Sequence, residues 1–164
     1  MKNSFTFRQF VIEHDRCAMK VGTDGCLLGG WFDTSCSKRI LDIGCGTGLI
    51  SIMAAQRCDA DITGVEIDKA ASEQARTNVD NSPWSDRISI LNTDILLYSP
   101  ERPFDTIVCN PPYFVNSLKC GTESRTLARH SDTLDCSSFF RKAGELLTKE
   151  GKISIVIPTD LFEE

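Results

Sequence analysis

The sequence DIGCGTGL at residues 42–49 joins a predicted buried strand to a predicted helix. The strand is the apolar run RILDI at residues 39–43, and helical apolar spacing begins in LISIMAAQRC at residues 49–58. A glycine loop at this point is typical of the crevice where an open parallel sheet binds a nucleotide. Taken alone it is a weak signal, because a plain turn between strand and helix can also be rich in glycine.

The spacing of the glycines separates the possible kinds of nucleotide loop. Gly44 and Gly46 permit a tight turn and a close approach of the backbone to a ligand, and Gly48 lets the helix begin against the strand. The loop reads GxGxG, with Leu49 where a dinucleotide fingerprint has its last glycine, and it lacks the lysine of a P-loop. The pattern therefore disfavours a nicotinamide oxidoreductase and a nucleoside triphosphatase.

Strands and helices alternate along the rest of the chain. Apolar runs predict five strands, at residues 39–43, 61–67, 87–92, 104–110 and 152–157. Helical spacing predicts helices at residues 23–32, 49–58, 69–81 and about 135–148. Gly151 is expected just beyond the end of the last helix. This alternation predicts an α/β fold with a doubly wound parallel sheet and helices on both faces.

Acidic side chains follow the second and third predicted strands. Glu66 lies about twenty residues beyond Gly44, where a carboxylate can accept both hydroxyls of a ribose. Asp68 is predicted to cap the next helix, because a short carboxylate accepts free backbone N–H groups. Asp94 is in position to accept a hydrogen bond from an adenine amino group. Alone it would be read as a cap or a turn residue, and its place beside the other two elements favours the functional interpretation.

The motif Asn110-Pro111-Pro112-Tyr113 follows the fourth predicted strand. Two prolines remove donors and fix φ, so the motif could be no more than a rigid turn. However, the Asn110 side chain and the Pro111 carbonyl can face the crevice as paired acceptors, which suit the two donors of an NH₂ group. Tyr113 offers a flat face on which a planar group could stack. Beside a nucleotide loop, the motif predicts a site for a planar amine.

Length and composition limit the classes of protein to which the chain can belong. Its 164 residues and formal net charge of −5 fit a single domain and argue against unspecific adhesion to nucleic acid. With no apolar run of about 18 residues and no signal peptide, we expect a cytoplasmic protein without a membrane span. The 8 cysteines have no zinc-type spacing. We therefore predict free thiols packed as small apolar side chains, and no metal.

The motifs LDIGCGTG, VEID, NTDI and NPPY stand in the order and roughly the spacing of class I methyltransferases, and the chain resembles that family. The leader FTFRQFVIEHDRCAMKVGTDGCLLGGW and the segment NPPYFVNSLK…SRTLARH resemble its bacterial tRNA1(Val) (adenine-37-N6)-methyltransferase branch. The resemblance implies S-adenosylmethionine as cofactor, tRNA as partner and methyl transfer to the N6 amine of an adenine. It also implies a Rossmann-like fold with strand order 3-2-1-4-5.

The resemblance also implies roles for individual residues. The catalytic motif would comprise Asn110, Pro111, Pro112 and Tyr113. The cofactor would be held by Thr23, Asp42, Gly44, Gly46, Gly48, Glu66, Ile67, Asp94, Ile95 and Asn110. The tRNA would be held by Lys119, Arg125, Arg129 and His130 in the segment 115–132, for which an exposed loop with routine charges is the alternative.

The same resemblance implies one methyltransferase domain over residues 1–164. Residues 1–38 would form a leader and cofactor lid, and residues 39–164 the core. Such cores usually have seven strands, and only five are predicted, so we expect the C-terminal antiparallel hairpin to be missing from this chain. Two alternatives stay open: methylation of another planar amine (a protein glutamine amide, guanine N2 or DNA adenine), and a non-catalytic module that only binds S-adenosylmethionine.

Overall fold

The computed structural model describes residues 3–111 and 136–157, with the backbone alone at Cys136. Its strands are β1 Ser4–Thr6, β2 Val11–Glu13, β3 Arg39–Ile43, β4 Asp61–Glu66, β5 Ile88–Asn92, β6 Phe104–Cys109 and β7 Leu147–Ile155. Its helices are α1 Thr23–Trp31, α2 Leu49–Arg57, α3 Lys69–Asp80 and α4 Cys136–Leu146, and a short 3-10 turn spans Ser85–Arg87.

Strands β3 to β7 form one five-stranded parallel sheet in the order β5-β4-β3-β6-β7. This is the predicted order 3-2-1-4-5, which is therefore confirmed. Alternate side chains of a strand point to opposite faces, and Ile40 and Leu41 of β3 accordingly enter two different apolar clusters. The first cluster contains residues of α2 and α3, and the second contains Phe139 of α4. Helices thus cover both faces, as predicted.

The boundary between α4 and β7 differs from the prediction. The helix ends at Leu146 and the strand begins at Leu147, whereas helical spacing predicted a helix to about residue 148 and a strand from residue 152. Leu147 pairs with the fully buried Phe104, and the register then shifts before Lys152 pairs. Gly151 lies in this irregular part of the strand and not just beyond the end of the helix, as was predicted. A Cβ there would lie 2.7 Å from Cδ2 of Leu147.

The leader contains a short antiparallel hairpin, β1 and β2, that the sequence analysis missed. Three-residue strands are too short to show a period of two, which is why no pattern indicated them. Helix α1 agrees with the helix predicted over residues 23–32. It packs on α2, where a Cβ at Gly29 would lie only 2.7 Å from Sδ of Met53. The leader is therefore fixed to the core beside the first βα unit of the sheet.

Candidate active site

The predicted site residues follow strands that end at one edge of the sheet. Ile43, the last residue of β3, pairs with Val65 of β4 and Cys109 of β6. Glu66 pairs with Asn92, the last residue of β5. Because all five strands are parallel, the segments that follow them leave from the same edge, which we call the carboxyl edge. The structure therefore brings together the glycine loop and the ends of β4, β5 and β6.

The glycine loop turns through left-handed backbone at all three glycines. The φ angles are 67° at Gly44, 52° at Gly46 and 78° at Gly48, values that residues with a side chain rarely adopt. A Cβ at Gly44 would meet no described atom within 4 Å, so the space in front of the loop is open. Gly48 caps α2, and its Cβ position is 3.4 Å from Cβ of Ala75 in α3. It therefore permits close packing of the start of α2 with α3.

Glu66 is fixed by the backbone on both sides of its carboxylate. Its Oε2 accepts a hydrogen bond from N of Gly46 at 2.9 Å, and its Oε1 accepts one from N of Asp68 at 2.9 Å. Each carboxylate oxygen can accept more than one hydrogen bond, so capacity is left for a ligand. Asp68 caps α3 by accepting from N of Ala71 at 2.7 Å, which confirms its predicted role.

Asp42 lies behind the glycine loop with no exposed surface. Ser51 of α2 donates to its Oδ2 at 2.7 Å, and its Oδ1 has no hydrogen-bond partner in the part of the chain that the structure describes. Burial raises the pKa of Asp42 to about 7, and the charge of Glu66 adds to that increase. In this position Asp42 joins the end of β3 to α2 and does not face the open space.

The remaining described candidates differ in burial and in hydrogen bonding. Asp94 is half-buried, and its Oδ1 accepts from N of Leu96 at 2.9 Å, the bond of a turn residue. Ile95 is buried, whereas Ile67 is 61% exposed. Thr23 is the exposed first residue of α1. Ile67 follows β4, and Asp94 and Ile95 follow β5, so these three residues lie at the carboxyl edge.

Asn110 is the first residue beyond β6, and both it and Pro111 are half-buried. Helix α1 reaches this position: a Cβ at Gly25 would lie 3.7 Å from Nδ2 of Asn110. The other residues of the predicted amine and tRNA sites lie outside the described residues, namely Pro112, Tyr113, Lys119, Arg125, Arg129 and His130.

The structure adds Asn78, a residue that the sequence analysis did not single out. Its buried amide accepts from N of Glu13 at 2.9 Å and donates to the carbonyls of Glu13 and Thr47 at 2.8 and 2.9 Å. One side chain of α3 thus joins leader strand β2 to the glycine loop. Four positions earlier, Gln74 accepts from N of Arg16 at 3.2 Å. The sequence signal for these contacts was the presence of two polar residues, Gln74 and Asn78, four positions apart on the face of α3 that carries its alanines.

The leader also passes close to the negative charge at the carboxyl edge. Burial is the largest cause that raises the pKa of Cys17, to about 11, and the negative charges of Glu66 and Asp68 add to the increase. Burial likewise raises the pKa of the Cys45 and Cys109 thiols, which are therefore uncharged. Both pack in the apolar clusters, which confirms the predicted packing for these two cysteines.

Among residues 3–111 and 136–157, no group of three or more His, Cys, Asp or Glu side chains could hold a metal ion. Within the same residues, no helix has the length and apolar character needed to cross a membrane.

Comparison with known proteins agrees with this arrangement. The model of the methyltransferase small domain matches residues 17–162. A tRNA1(Val) (adenine(37)-N6)-methyltransferase of Phocaeicola vulgatus is 56% identical over 156 residues, which are 95% of this chain and 67% of the relative. The enzyme of the same name from Klebsiella pneumoniae is 46% identical over 164 residues, 98% of this chain and 67% of the relative. The chain thus spans about two thirds of their length.

A solved structure shows the same fold at low sequence identity. The glycopeptide N-methyltransferase MtfA, crystallised with S-adenosyl-L-methionine, superposes with a TM-score of 0.56 at 16% identity, over 74% of this chain and 47% of that one. This likeness concerns the fold alone. The family model and the curated relatives carry the assignment: the chain belongs to the methyltransferase small domain family, and its relatives there are tRNA1(Val) (adenine(37)-N6)-methyltransferases.

Proposed function

We propose that this protein transfers a methyl group from S-adenosylmethionine to the exocyclic N6 amine of an adenine in tRNA, and that the target is adenine 37 of tRNA1(Val). The observation that carries the proposal is the position of Asn110. It follows β6 at the edge that also holds the glycine loop and Glu66, in a chain 56% identical to a relative named for this reaction.

The glycine loop and Glu66 fit the cofactor. The open space in front of Gly44 leaves room for a ligand close to the backbone, and a side chain there would fill it. The fixed carboxylate of Glu66 is suited to the two hydroxyls of a ribose. Bound S-adenosylmethionine supplies an electrophilic methyl group. We assign further contacts at this edge to Thr23, Gly46, Gly48, Ile67, Asp94, Ile95 and Asn110.

Asp42 has a different part in this proposal. Its side chain is buried behind the loop and bonded to Ser51, so it supports the cofactor site from below. Its charge state also affects the field in the crevice, because Glu66 is near enough for the two carboxyls to influence each other. Asp42 therefore contributes to cofactor binding in two ways: it holds the loop in position, and its own charge state affects the crevice.

Asn110 and Pro111 would orient the target amine. The adenine N6 lone pair is delocalised into the ring, so the free amine is a poor nucleophile. Hydrogen bonds from its two N–H groups to Oδ1 of Asn110 and the Pro111 carbonyl would hold the nitrogen in line for attack, and orientation of this kind supplies much of an enzyme's acceleration. No strong base is required, because a nitrogen that has gained a methyl group releases its proton readily.

The tRNA must present its base outside the stack. Enzymes that modify a base extrude it into a pocket and often hold it by stacking, a role we assign to Tyr113 beside Pro112. We assign phosphate contacts to Lys119, Arg125, Arg129 and His130. Residues 1–38 act as the cofactor lid of a single domain, and the contacts of Asn78 with the leader and the loop support this. The enzyme acts in the cytoplasm, where its tRNA is.

Two transcripts test the proposal. Unmodified tRNA1(Val) and the same transcript with guanine in place of adenine 37 are incubated with the protein and labelled S-adenosylmethionine. We expect label in the first transcript alone. Equal label in both would exclude adenine 37 as the target. Transfer to a glutamine-containing protein or to DNA, with none to either transcript, would favour another planar amine, and cofactor binding without any transfer would favour a non-catalytic module.

A further inference from the structure

Helix α1 contains three glycines in nine residues, Gly25, Gly29 and Gly30. Each glycine in a helix interior costs about 1 kcal/mol relative to alanine, so their presence needs a structural reason. Gly29 has one, because a Cβ there would collide with Met53 of α2. Gly30 is exposed, and its Cβ position has only Cε of Met53 within 4.0 Å. Gly25 is buried, and Met53 is not among the atoms near its Cβ position.

The neighbours of Gly25 belong to the candidate active site. A Cβ at this position would lie 3.4 Å from Cδ2 of Leu49, the first residue of α2, and 3.7 Å from Nδ2 of Asn110. Both distances are ordinary van der Waals contacts, so a methyl group fits. A branched side chain would extend about 1.5 Å further and would take up the space of one of these neighbours. The size of residue 25 therefore limits the room beside the Asn110 amide.

The orientation of that amide matters for the reaction. The terminal torsion of an asparagine side chain is broad, so contacts from its surroundings must hold the amide plane. In the structure Nδ2 of Asn110 lies 3.7 Å from the Cβ position of Gly25. Oδ1, on the other branch of the same amide, is not among the atoms within 4 Å of that position. That oxygen is the acceptor which the proposed reaction needs.

We propose that Gly25 is a positioning residue for methyl transfer: because residue 25 has no side chain, α1 leaves room at this point for the donor end of the Asn110 amide, so that Oδ1 can face the target amine. This inference rests on the proposed function and deepens it, because it gives the leader a part in orienting the nucleophile besides its part as a lid.

A graded pair of substitutions with a matched control tests the inference. Gly25→Val is compared with Gly25→Ala and with Gly30→Val on the same helix. We expect Gly25→Val to lower kcat by about 100-fold, the cost of a displacement near 1 Å, and to leave the affinity for S-adenosylmethionine within about threefold. We expect a much smaller loss for Gly25→Ala, since a Cβ fits, and wild-type kcat for Gly30→Val. Titration calorimetry and single-turnover kinetics on the same preparations separate the two quantities.

Thermal unfolding with a second variant shows which neighbour is responsible. If Gly25→Val lowers Tm because it meets the Asn110 amide, Gly25→Val combined with Asn110→Ala recovers most of that Tm. No recovery would show that the valine is obstructed by Leu49 and would overturn the inference, even for a poorly folded single variant. Wild-type kcat in Gly25→Val, or equal losses in Gly25→Val and Gly30→Val, would overturn it too. A wild-type protein with no transfer to tRNA would instead refute the proposed function.

Discussion

The two edges of the parallel sheet use their polar groups in different ways. We call the opposite side, where the five parallel strands begin, the amino edge. There, Oδ2 of Asp105 accepts hydrogen bonds from N of Lys38 and N of Arg39 at 2.9 and 3.0 Å. Nearby, the hydroxyls of Ser37 and Thr106 are 2.7 Å apart. These groups bond to one another and tie the start of β3 to the start of β6. Their hydrogen bonds stabilise the sheet.

The carboxyl edge holds its polar groups in position without using all their capacity. Glu66 accepts two backbone hydrogen bonds and can accept more, and the space in front of Gly44 is open. Asn110 follows the last paired residue of β6, and its Nδ2 lies 3.7 Å from the Cβ position of Gly25 in α1. In this fold, polar side chains stabilise the sheet at the amino edge, whereas polar side chains at the carboxyl edge are available to bind a ligand. Substitutions at the two edges should therefore affect different measurements.

The largest effect is expected at Asn110. Replacing it with alanine removes the side-chain acceptor for the target amine, and we expect kcat to fall by at least about 1,000-fold, since positioning supplies several kcal/mol of the acceleration. The affinity for S-adenosylmethionine should change little. Labelled transfer to tRNA and titration calorimetry measure the two quantities. If cofactor affinity collapsed in parallel with kcat, the carboxyl edge could not be divided into an amine part and a cofactor part.

Asp42 affects both stability and the candidate site, because it is a buried carboxyl group at the carboxyl edge. Its pKa is about 7 in the folded protein, against about 4 in an unfolded chain. Between these values the folded state keeps a proton that the unfolded state has lost, so stability falls as pH rises from about 4 to 7 and stays low above 7. Asp42→Asn removes this dependence.

Urea unfolding at pH 5 and pH 8 checks this. We expect Asp42→Asn to raise the free energy of unfolding at pH 8, relative to pH 5, by on the order of 3 kcal/mol compared with the wild type. Ser51→Ala is the comparison variant: it keeps the titrating group and removes a hydrogen bond that lowers the pKa of Asp42, so the difference between the two pH values should be at least as large as in the wild type. An unchanged difference between the two pH values in Asp42→Asn would mean that the carboxyl is already ionised at pH 5.

A smaller effect, on cofactor affinity alone, is expected at Glu66. Glu66→Ala removes both oxygens proposed to accept ribose hydroxyls, and we expect the Kd for S-adenosylmethionine to rise about 50-fold, the value of one or two charge-assisted hydrogen bonds. Glu66→Gln keeps one acceptor and should lose less. Calorimetry gives both constants. The assignment fails if S-adenosylmethionine binds Glu66→Ala as tightly as the wild type.

The smallest effect on function is expected at the amino edge. Asp105→Ala leaves two backbone N–H groups without their acceptor, and we expect a loss of about 1–2 kcal/mol in the free energy of unfolding, with cofactor affinity and kcat unchanged. Denaturant unfolding and the transfer assay, run below the new midpoint, test this. A loss of cofactor affinity in Asp105→Ala would show that the two edges are coupled, and it would contradict the separation of stability from binding.

The sequence predicts the sheet and much of the site because the relevant signals are local. The run RILDI and the glycines after it are adjacent in the chain, and Asp68 caps a helix that begins at the next residue. The start of β7 was missed, because the pairing of Leu147 with Phe104 depends on a strand more than forty residues away. The proximity of Gly25 to Asn110 and the hydrogen bonds of Asn78 were missed for the same reason: they relate segments that are far apart in the chain and share no local pattern.

The most direct test of the central claim is to map the methylated nucleoside. The protein is incubated with unmodified total tRNA and labelled S-adenosylmethionine, and the tRNA is then digested and the labelled nucleoside located. We expect a single product, N6-methyladenosine at position 37 of tRNA1(Val), formed by the wild type and by Asp105→Ala and absent with Asn110→Ala. Label on guanine, on another adenine, or retained in Asn110→Ala would contradict it.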